Sequence, residues 1–176
     1  MENQQATAKK FVLNYGVMLG IISVIYGVIL YATNVYLDPS ITYGIISYLI
    51  VIVLVTLAIK AFKTENGGYL TLSEALKVGI GAAVIGGIIA AVWTFVLTSY
   101  IEPDLVNDVM ETARENMIES QPEMSEAQID AAIGMTSKLS SPPIAFALSL
   151  VGNLFFGLII SLIVGLIMKN KNPMEG

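Results

Sequence analysis

The residues of this chain with the most scope for chemistry are carboxylates, and nine of the fourteen lie between Glu102 and Lys138. Only Arg114 and Lys138 oppose these nine charges, which leaves the segment with a net charge of −7. Clustered carboxylates can bind calcium, but their spacing lacks the Asp-x-Asp-x-Asp-Gly pattern of a calcium loop. The pattern therefore favours a solvated acidic surface over a metal site.

Composition excludes most catalytic designs. The chain has no histidine and no cysteine, so it offers no Ser-His or Cys-His nucleophile pair, no thiolate zinc site and no imidazole proton shuttle. Its long apolar stretches also lack the acidic and basic residues that mark ion pathways and proton relays. We expect a protein that is not an enzyme and uses no cofactor, and nothing in the sequence predicts nucleic-acid binding.

The apolar stretches predict a membrane protein. Hydrophobic residues make up 55% of the chain and charged residues 13%, whereas roughly a quarter of residues are charged in soluble domains. A helix of about 20 apolar residues crosses a bilayer. We predict an all-α fold, an integral membrane four-helix bundle in a single domain over residues 1–176. Its spans are expected at about 11–35, 41–60, 73–101 and 143–168, with Asp38-Pro39 closing the first.

The third span has the clearest local signals. Thr71 and Glu74 form a predicted capping box, in which each residue's side chain bonds the other's backbone N–H. Small residues then recur at every fourth position: Gly79, Ala83, Gly87 and Ala91. In lipid such a face lets another helix approach closely, and dispersion contacts then drive association.

Matching small-residue patterns occur on two other spans. The first span has Gly16 and Gly20, which indicate a helix contact. The fourth span repeats small or polar residues from Ser149 to Gly165, a series that includes Asn153, Gly157 and Ser161. We expect this series to pack on the third span, within one chain or across a dimer, and Asn153 to bond a facing helix.

The acidic insert, about residues 103–138, is predicted to be a short extracytoplasmic pair of amphipathic helices between the third and fourth spans. Leu105, Val109 and Met117 fall on one face of its first helix at helical spacing. Ser125 and Gln128 form a capping box that starts its second helix. The apolar stripe must be buried, either as a lid on the bundle or against another protein.

The lysines predict the orientation of the chain. With four spans, seven cations fall on one side of the membrane: Lys9, Lys10, Lys60, Lys63, Lys77, Lys169 and Lys171. The other side has only Arg114 and Lys138. By the positive-inside rule, both termini are cytoplasmic. We therefore expect a multi-pass protein of the bacterial inner membrane whose acidic insert is periplasmic.

Several motifs together resemble a known family. They are the sequence GYLTLSEA that opens the third span, Ile101-Glu102-Pro103 at its exit, the acidic helical insert, and Ser141-Pro142 before the fourth span. This combination resembles the Bacteroidetes membrane family catalogued as domain of unknown function 4199, over nearly the whole chain. The resemblance implies a four-helix inner-membrane protein with no assigned activity, cofactor or catalytic residue.

Two functions are compatible with these patterns. The first expectation is a non-enzymatic scaffold or accessory subunit that sits in the lipid bilayer and docks a membrane or periplasmic protein, or a second copy of itself, through the acidic insert. The alternative is a small conduit or a lipid-handling protein. That alternative requires a continuous cavity between the helices.

Overall fold

The computed structural model describes residues 7–37 and 40–170, and it contains six α-helices. They are α1 (Ala8–Ala32), α2 (Ile41–Glu65), α3 (Leu72–Val96), α4 (Leu105–Ser120), α5 (Glu126–Leu139) and α6 (Pro142–Met168). Helices α1, α2 and α6, and α3 with its continuation to Ile101, are long and apolar enough to cross a membrane. The predicted all-α membrane bundle is confirmed. Asp38-Pro39 and Lys171 lie outside the described residues.

Local sequence sets the helix ends. Helix α2 continues through Lys60 and Lys63 to Glu65, about five residues past the predicted limit, because lysine stems can lie along apolar surface while their ammonium groups reach water. Gly67 and Gly68 then adopt φ angles of +68° and +86°, which glycine alone enters without steric cost. The chain thereby turns back into α3.

Both capping boxes are formed. The Thr71 hydroxyl accepts from the Glu74 backbone N–H, and the Glu74 carboxylate accepts from the Thr71 N–H at 2.7 Å. Ser125 and Gln128 make the same reciprocal pair at the start of α5. Each box satisfies backbone donors that a helix start would otherwise leave unpaired.

Helix α3 is the centre of the bundle and packs against α1 on one side. A Cβ added at Gly16 would lie 2.7 Å from the Cβ of Ile85, and one at Gly20 would lie 2.6 Å from the Cβ of Ile89. In the reverse direction, the Leu19 side chain fills the space above Gly86. Glycines on each helix thus receive branched or bulky side chains from the other, which brings the two backbones close together.

A neighbouring face of α3 packs antiparallel against α6. Four pairs meet along this seam: Ala75 with Gly165, Gly79 with Ser161, Ala83 with Gly157, and Gly87 with Asn153. Each step advances four residues along α3 and returns four along α6, which is the register expected when two small-residue rows face each other. The α3–α6 contact therefore lies within one chain.

Polar contacts join the chain segments at one end of the bundle, which we call the closed end. Lys10 pairs with Glu65 at 2.9 Å, and Lys63 Nζ donates to the Met168 carbonyl at 2.7 Å. The backbones of Leu70 and Asn170 exchange two hydrogen bonds of 2.8 and 2.9 Å. The loop between α2 and α3 is thereby attached to the end of α6.

The buried core is concentrated toward the closed end. The buried residues of α2 all fall between Leu54 and Phe62, and those of α6 all fall between Gly157 and Gly165. Residues 41–53 and 142–156, in the other half of these two helices, include none. We call that other half, next to α4 and α5, the insert end. There α2 and α6 surround space instead of tightly packed side chains.

The α3–α6 seam can be tested by overpacking it. A Cβ at Gly87 would lie 2.6 Å from the Asn153 Cγ, so Gly87→Leu must displace α6. We expect a loss of about 1–3 kcal/mol of stability, measured by thermal unfolding in detergent. Gly44→Leu is the matched control, since Gly44 is an exposed helical glycine with no atom within 4 Å of the added Cβ. Equal unfolding temperatures for the two variants would contradict the seam.

Candidate functional site

The insert end contains two adjoining cavities of about 500 and 580 Å³. The first, here called the lid lobe, lies between α3, α6 and α4. The second, the bundle lobe, lies between α1, α2, α3 and α6. Six residues line both lobes: Tyr36, Ala90, Thr94, Leu148, Ser149 and Asn153. The two lobes thus share a boundary, and we treat them together as the insert-end cavity.

Helix α4 covers the lid lobe with its apolar face. Leu105, Val106, Val109 and Met110 line the lobe, and Leu105 is only 9% exposed. The stripe seen in the sequence therefore turns toward the chain's own helices over its first half. Met117, farther along α4, is half-buried.

The start of α4 is held by the exit of α3. Residues Leu97–Ile101 form one wide π-helical turn, and the Glu102 N–H donates to the Leu97 carbonyl at 2.8 Å. The Tyr31 hydroxyl of α1 donates to the Glu102 carboxylate at 3.0 Å. These bonds connect the end of α1 to the turn that aims α4 across the bundle.

Helix α5 supports α4 from outside. Ile129 of α5 is buried, and Arg114 of α4 forms an ion pair with Asp130 of α5. This partner raises the pKa of the Arg114 guanidinium above its already high value, so the charge persists at any physiological pH. Exposed pairs contribute little stability, and Ile129 is the buried residue of α5.

Most polar groups of the bundle lobe are already engaged within the protein. The hydroxyls of Tyr26 and Ser47 both donate to the Tyr43 carbonyl, at 2.9 and 3.2 Å. Thr94 and Ser149 donate to carbonyls of their own helices. Such back-bonding is usual for short polar side chains in membrane helices. These hydroxyls therefore offer no spare donor to a ligand.

Trp93 is the exception. Its indole Nε1 is buried and, within residues 7–37 and 40–170, is the single buried side-chain nitrogen or oxygen without a hydrogen-bond partner. The indole fits because residue 27 is glycine, where an added Cβ would lie 2.7 Å from Nε1. Burial raises the pKa of the neighbouring Tyr36 hydroxyl, and the nearby Trp93 N–H opposes that rise. Trp93 thus lines the bundle lobe with its ring, while its N–H lies inside the protein, against Gly27 and close to the Tyr36 hydroxyl.

The lining of the cavity is electrically neutral. Among the described residues, no Asp, Glu, Lys or Arg side chain borders either lobe. Nor do the described carboxylates gather in a group of three that could hold a metal ion. The site can therefore bind apolar and weakly polar matter, and it presents no nucleophile with an adjacent base.

Asn153 and Ala91 lie where the tight seam ends. Sequence reasoning expected Asn153 to bond a facing helix, but its Nδ2 donates to the Ser149 carbonyl of its own helix at 2.8 Å, because that acceptor lies one turn away. Ala91 continues the small-residue row of α3 and is buried, yet it borders the lid lobe. The close packing of α3 on α6 thus stops beyond the Gly87–Asn153 pair.

Sequence reasoning did not identify Trp93, Tyr36 or Gly27 as site residues. One usable signal was present, since Trp93 is the only tryptophan of the chain and lies within a span. Tryptophan in membrane helices usually lies at the interface, where its N–H can be satisfied. Trp93 lies toward the Ile101 end of its span, and the neighbour of its N–H, Tyr36, lies far away in the sequence.

Comparisons with known proteins yielded one family. Its model matches residues 14–170 and carries the description "Protein of unknown function (DUF4199)". No curated protein and no solved structure matched the chain. The match covers α1 from Asn14 onward and the whole of α2 to α6, and so includes the whole lining of the insert-end cavity. The chain is a membrane protein that belongs to the DUF4199 family.

Proposed function

We propose that this protein is a non-enzymatic lipid-handling protein, which holds an apolar molecule in the insert-end cavity. The observation that carries the proposal is the cavity itself, covered by the apolar face of α4. Both lobes are clefts that open partly to the surface of the protein. Lobes of about 500 and 580 Å³ lie within the 300–1,000 Å³ typical of small-molecule sites.

The walls of the cavity reach the lipid-facing surface of the bundle. Tyr48 and Leu148 line the bundle lobe and are 50% and 49% exposed. The rings of Tyr48 and Phe156 meet with centroids 4.7 Å apart, at the edge between α2 and α6. A molecule dissolved in the bilayer could therefore enter sideways without crossing water.

Filling the cavity should expel its occupant. Gly152 lines the bundle lobe, and a Cβ added there meets no atom within 4 Å, so Gly152→Leu should fold normally while occupying part of the space. We expect native mass spectrometry of the purified wild type to show a retained lipid, and the variant to lose at least about nine-tenths of it. A tenfold loss of binding corresponds to about 1.4 kcal/mol, which lies within the roughly 1–3 kcal/mol that forcing extra methylenes into an occupied space costs.

Gly44→Leu is the control for this experiment. It adds the same side chain to an exposed helical glycine that lines neither lobe and has no atom within 4 Å of the added Cβ, so it should retain wild-type lipid. Equal lipid content in wild type and Gly152→Leu, or no retained lipid in either, would overturn the proposal.

A second candidate function is that of an accessory subunit whose α4–α5 pair docks a membrane or periplasmic protein, or a second copy of the chain. Two apolar side chains on the pair face outward, since Ile118 and Met135 are 50% and 67% exposed. They lie on a surface rich in exposed carboxylates. An apolar contact surrounded by charge is typical of partner sites.

The docking candidate predicts specific loss of partners. Changing Ile118 and Met135 to Ser should abolish most cross-linking to a recovered partner in native membranes, while cavity lipid stays unchanged. Ile167→Ser is the control, because Ile167 is an exposed apolar residue at the closed end. Recovery of the same partners at the same yield from both proteins would exclude docking through α4 and α5.

We also propose that both termini are cytoplasmic in a bacterial inner membrane and that α4 and α5 lie in the periplasm. The support is the excess of lysines at the closed end. The natural chain lacks cysteine, so single cysteines report location without background. In spheroplasts, a membrane-impermeant maleimide should label Glu111→Cys at once and Ser73→Cys only after lysis. The reverse pattern would invert the orientation.

A further inference from the structure

We propose a second binding site, for one anionic phospholipid, on the outer face of the α1–α2 pair. The lipid phosphate lies at Lys60 near the closed end, and an acyl chain lies in an apolar groove between the same two helices. This site goes beyond the proposed lipid-handling function. Ile50 is the one described residue that borders both this groove and the insert-end cavity.

The polar part of the site is a cleft between α1 and α2 that contains an uncompensated lysine. The cleft is lined by Phe11, Tyr15, Leu57, Lys60, Ala61, Thr64 and Glu65. Lys60 is exposed and forms an ion pair with no described carboxylate. Glu65 accepts from Lys10 Nζ through both of its carboxylate oxygens, at 2.9 Å each, so this acid is already neutralised. The positive charge of Lys60 is therefore available to an anion.

Lys60 lies at the depth of the lipid headgroups. Helix α2 has 25 residues, so it is about 37 Å long, whereas the hydrocarbon core of a bilayer is about 30 Å thick. Lys60 is the first charged residue of α2 and lies five residues before its end. Because a lysine ammonium is a point charge with three donors on a flexible stem, it can reach a phosphate in this layer.

An apolar groove continues from the cleft along the same two helices. The groove is lined by Ile22 of α1 and by Ile46, Leu49, Ile50, Val53 and Leu54 of α2. Leu57 of the cleft lies one helical turn from Val53 of the groove, and Tyr15 of the cleft lies two turns from Ile22. Residues at these spacings share a helix face. The cleft and the groove therefore lie on the same side of the α1–α2 pair.

The cleft and the groove together match a charged lipid. From Ile46 to Lys60 helix α2 rises about 21 Å, which exceeds the roughly 15 Å of hydrocarbon in one leaflet. An acyl chain attached to a phosphate at Lys60 thus fits along the groove. A free phosphate would leave the groove unused, and a zwitterionic lipid brings its own cation next to Lys60. Anionic phospholipids provide both the charge and the chain.

Headgroup selectivity tests the assignment of the phosphate to Lys60. The full chain would be released for native mass spectrometry from nanodiscs of equimolar phosphatidylglycerol and phosphatidylcholine with identical acyl chains. We expect about fivefold more retained phosphatidylglycerol than phosphatidylcholine, the ratio expected for one lysine near a lipid surface. Lys60→Gln should abolish this preference. Lys77→Gln is the control, because Lys77 is an exposed lysine near the start of α3 that borders neither the cleft nor the groove.

Filling the groove tests the position of the acyl chain. Val53 borders the groove and is 52% exposed, so Val53→Phe should fold normally while occupying the space of the chain. We expect at least about fivefold less retained phosphatidylglycerol. Val92→Phe is the matched control, since Val92 of α3 is 49% exposed and borders neither the groove nor the cleft.

The outcomes separate this site from the insert-end cavity. Gly152→Leu, which fills that cavity, should keep the preference for phosphatidylglycerol, whether or not the lipid-handling proposal holds. Loss of the preference in Gly152→Leu would assign it to the insert-end cavity and overturn the site proposed here. Equal retention of both lipids by wild type, or equal effects of Lys60→Gln and Lys77→Gln, would overturn the phosphate position. Equal effects of Val53→Phe and Val92→Phe, or displacement of the lipid by excess inorganic phosphate, would overturn the groove as the place of the chain.

Discussion

The close contact of α3 with two neighbours is the interaction on which the rest of the structure depends. In lipid, helices gain little from hiding apolar surface, so they associate through dispersion between closely approaching backbones. Glycine and alanine on α3 permit this approach on both sides: Gly86 receives Leu19 of α1, and Gly79 receives Ser161 of α6. Helix α3 is therefore the fixed axis of the bundle, and α2 packs around it.

The tight packing of α3 on α6 ends beyond Gly87, and this limit defines the site. The α3–α6 seam runs from the Ala75–Gly165 pair to the Gly87–Asn153 pair, and polar contacts such as Lys63 with Met168 secure the same half. Beyond the seam the helices part and α4 covers the space between them. A rigid half thus supports an accessible half, an arrangement that suits a protein that holds a molecule without transforming it.

The chemistry of the site depends on which of its polar groups are already hydrogen-bonded within the protein. In a membrane each polar side chain needs a hydrogen-bond partner, and the nearest one is usually the carbonyl one turn back in the same helix. Thr94, Ser149 and Asn153 all follow this rule. Trp93 cannot, because its N–H points sideways from a large ring and reaches no carbonyl of its own helix. Its N–H instead lies against Gly27 of α1, close to the Tyr36 hydroxyl.

Sequence alone determined the features that depend on neighbouring residues along the chain. The length of the uncharged runs predicted the spans, and Thr71 with Glu74 predicted the start of α3. The four-residue period predicted the rows of small residues. A repeat along one helix shows which face of that helix has small side chains. It does not show where a neighbouring helix moves away from that face. Ala91 and Ser149 continue the two rows beyond the Gly87–Asn153 pair, yet both line a cavity instead of a contact. Only the tertiary structure decided where the two rows separate, because the crossing of two helices is set by all the side chains between their axes together. The covering role of α4 and the position of Trp93 depend on the same crossing.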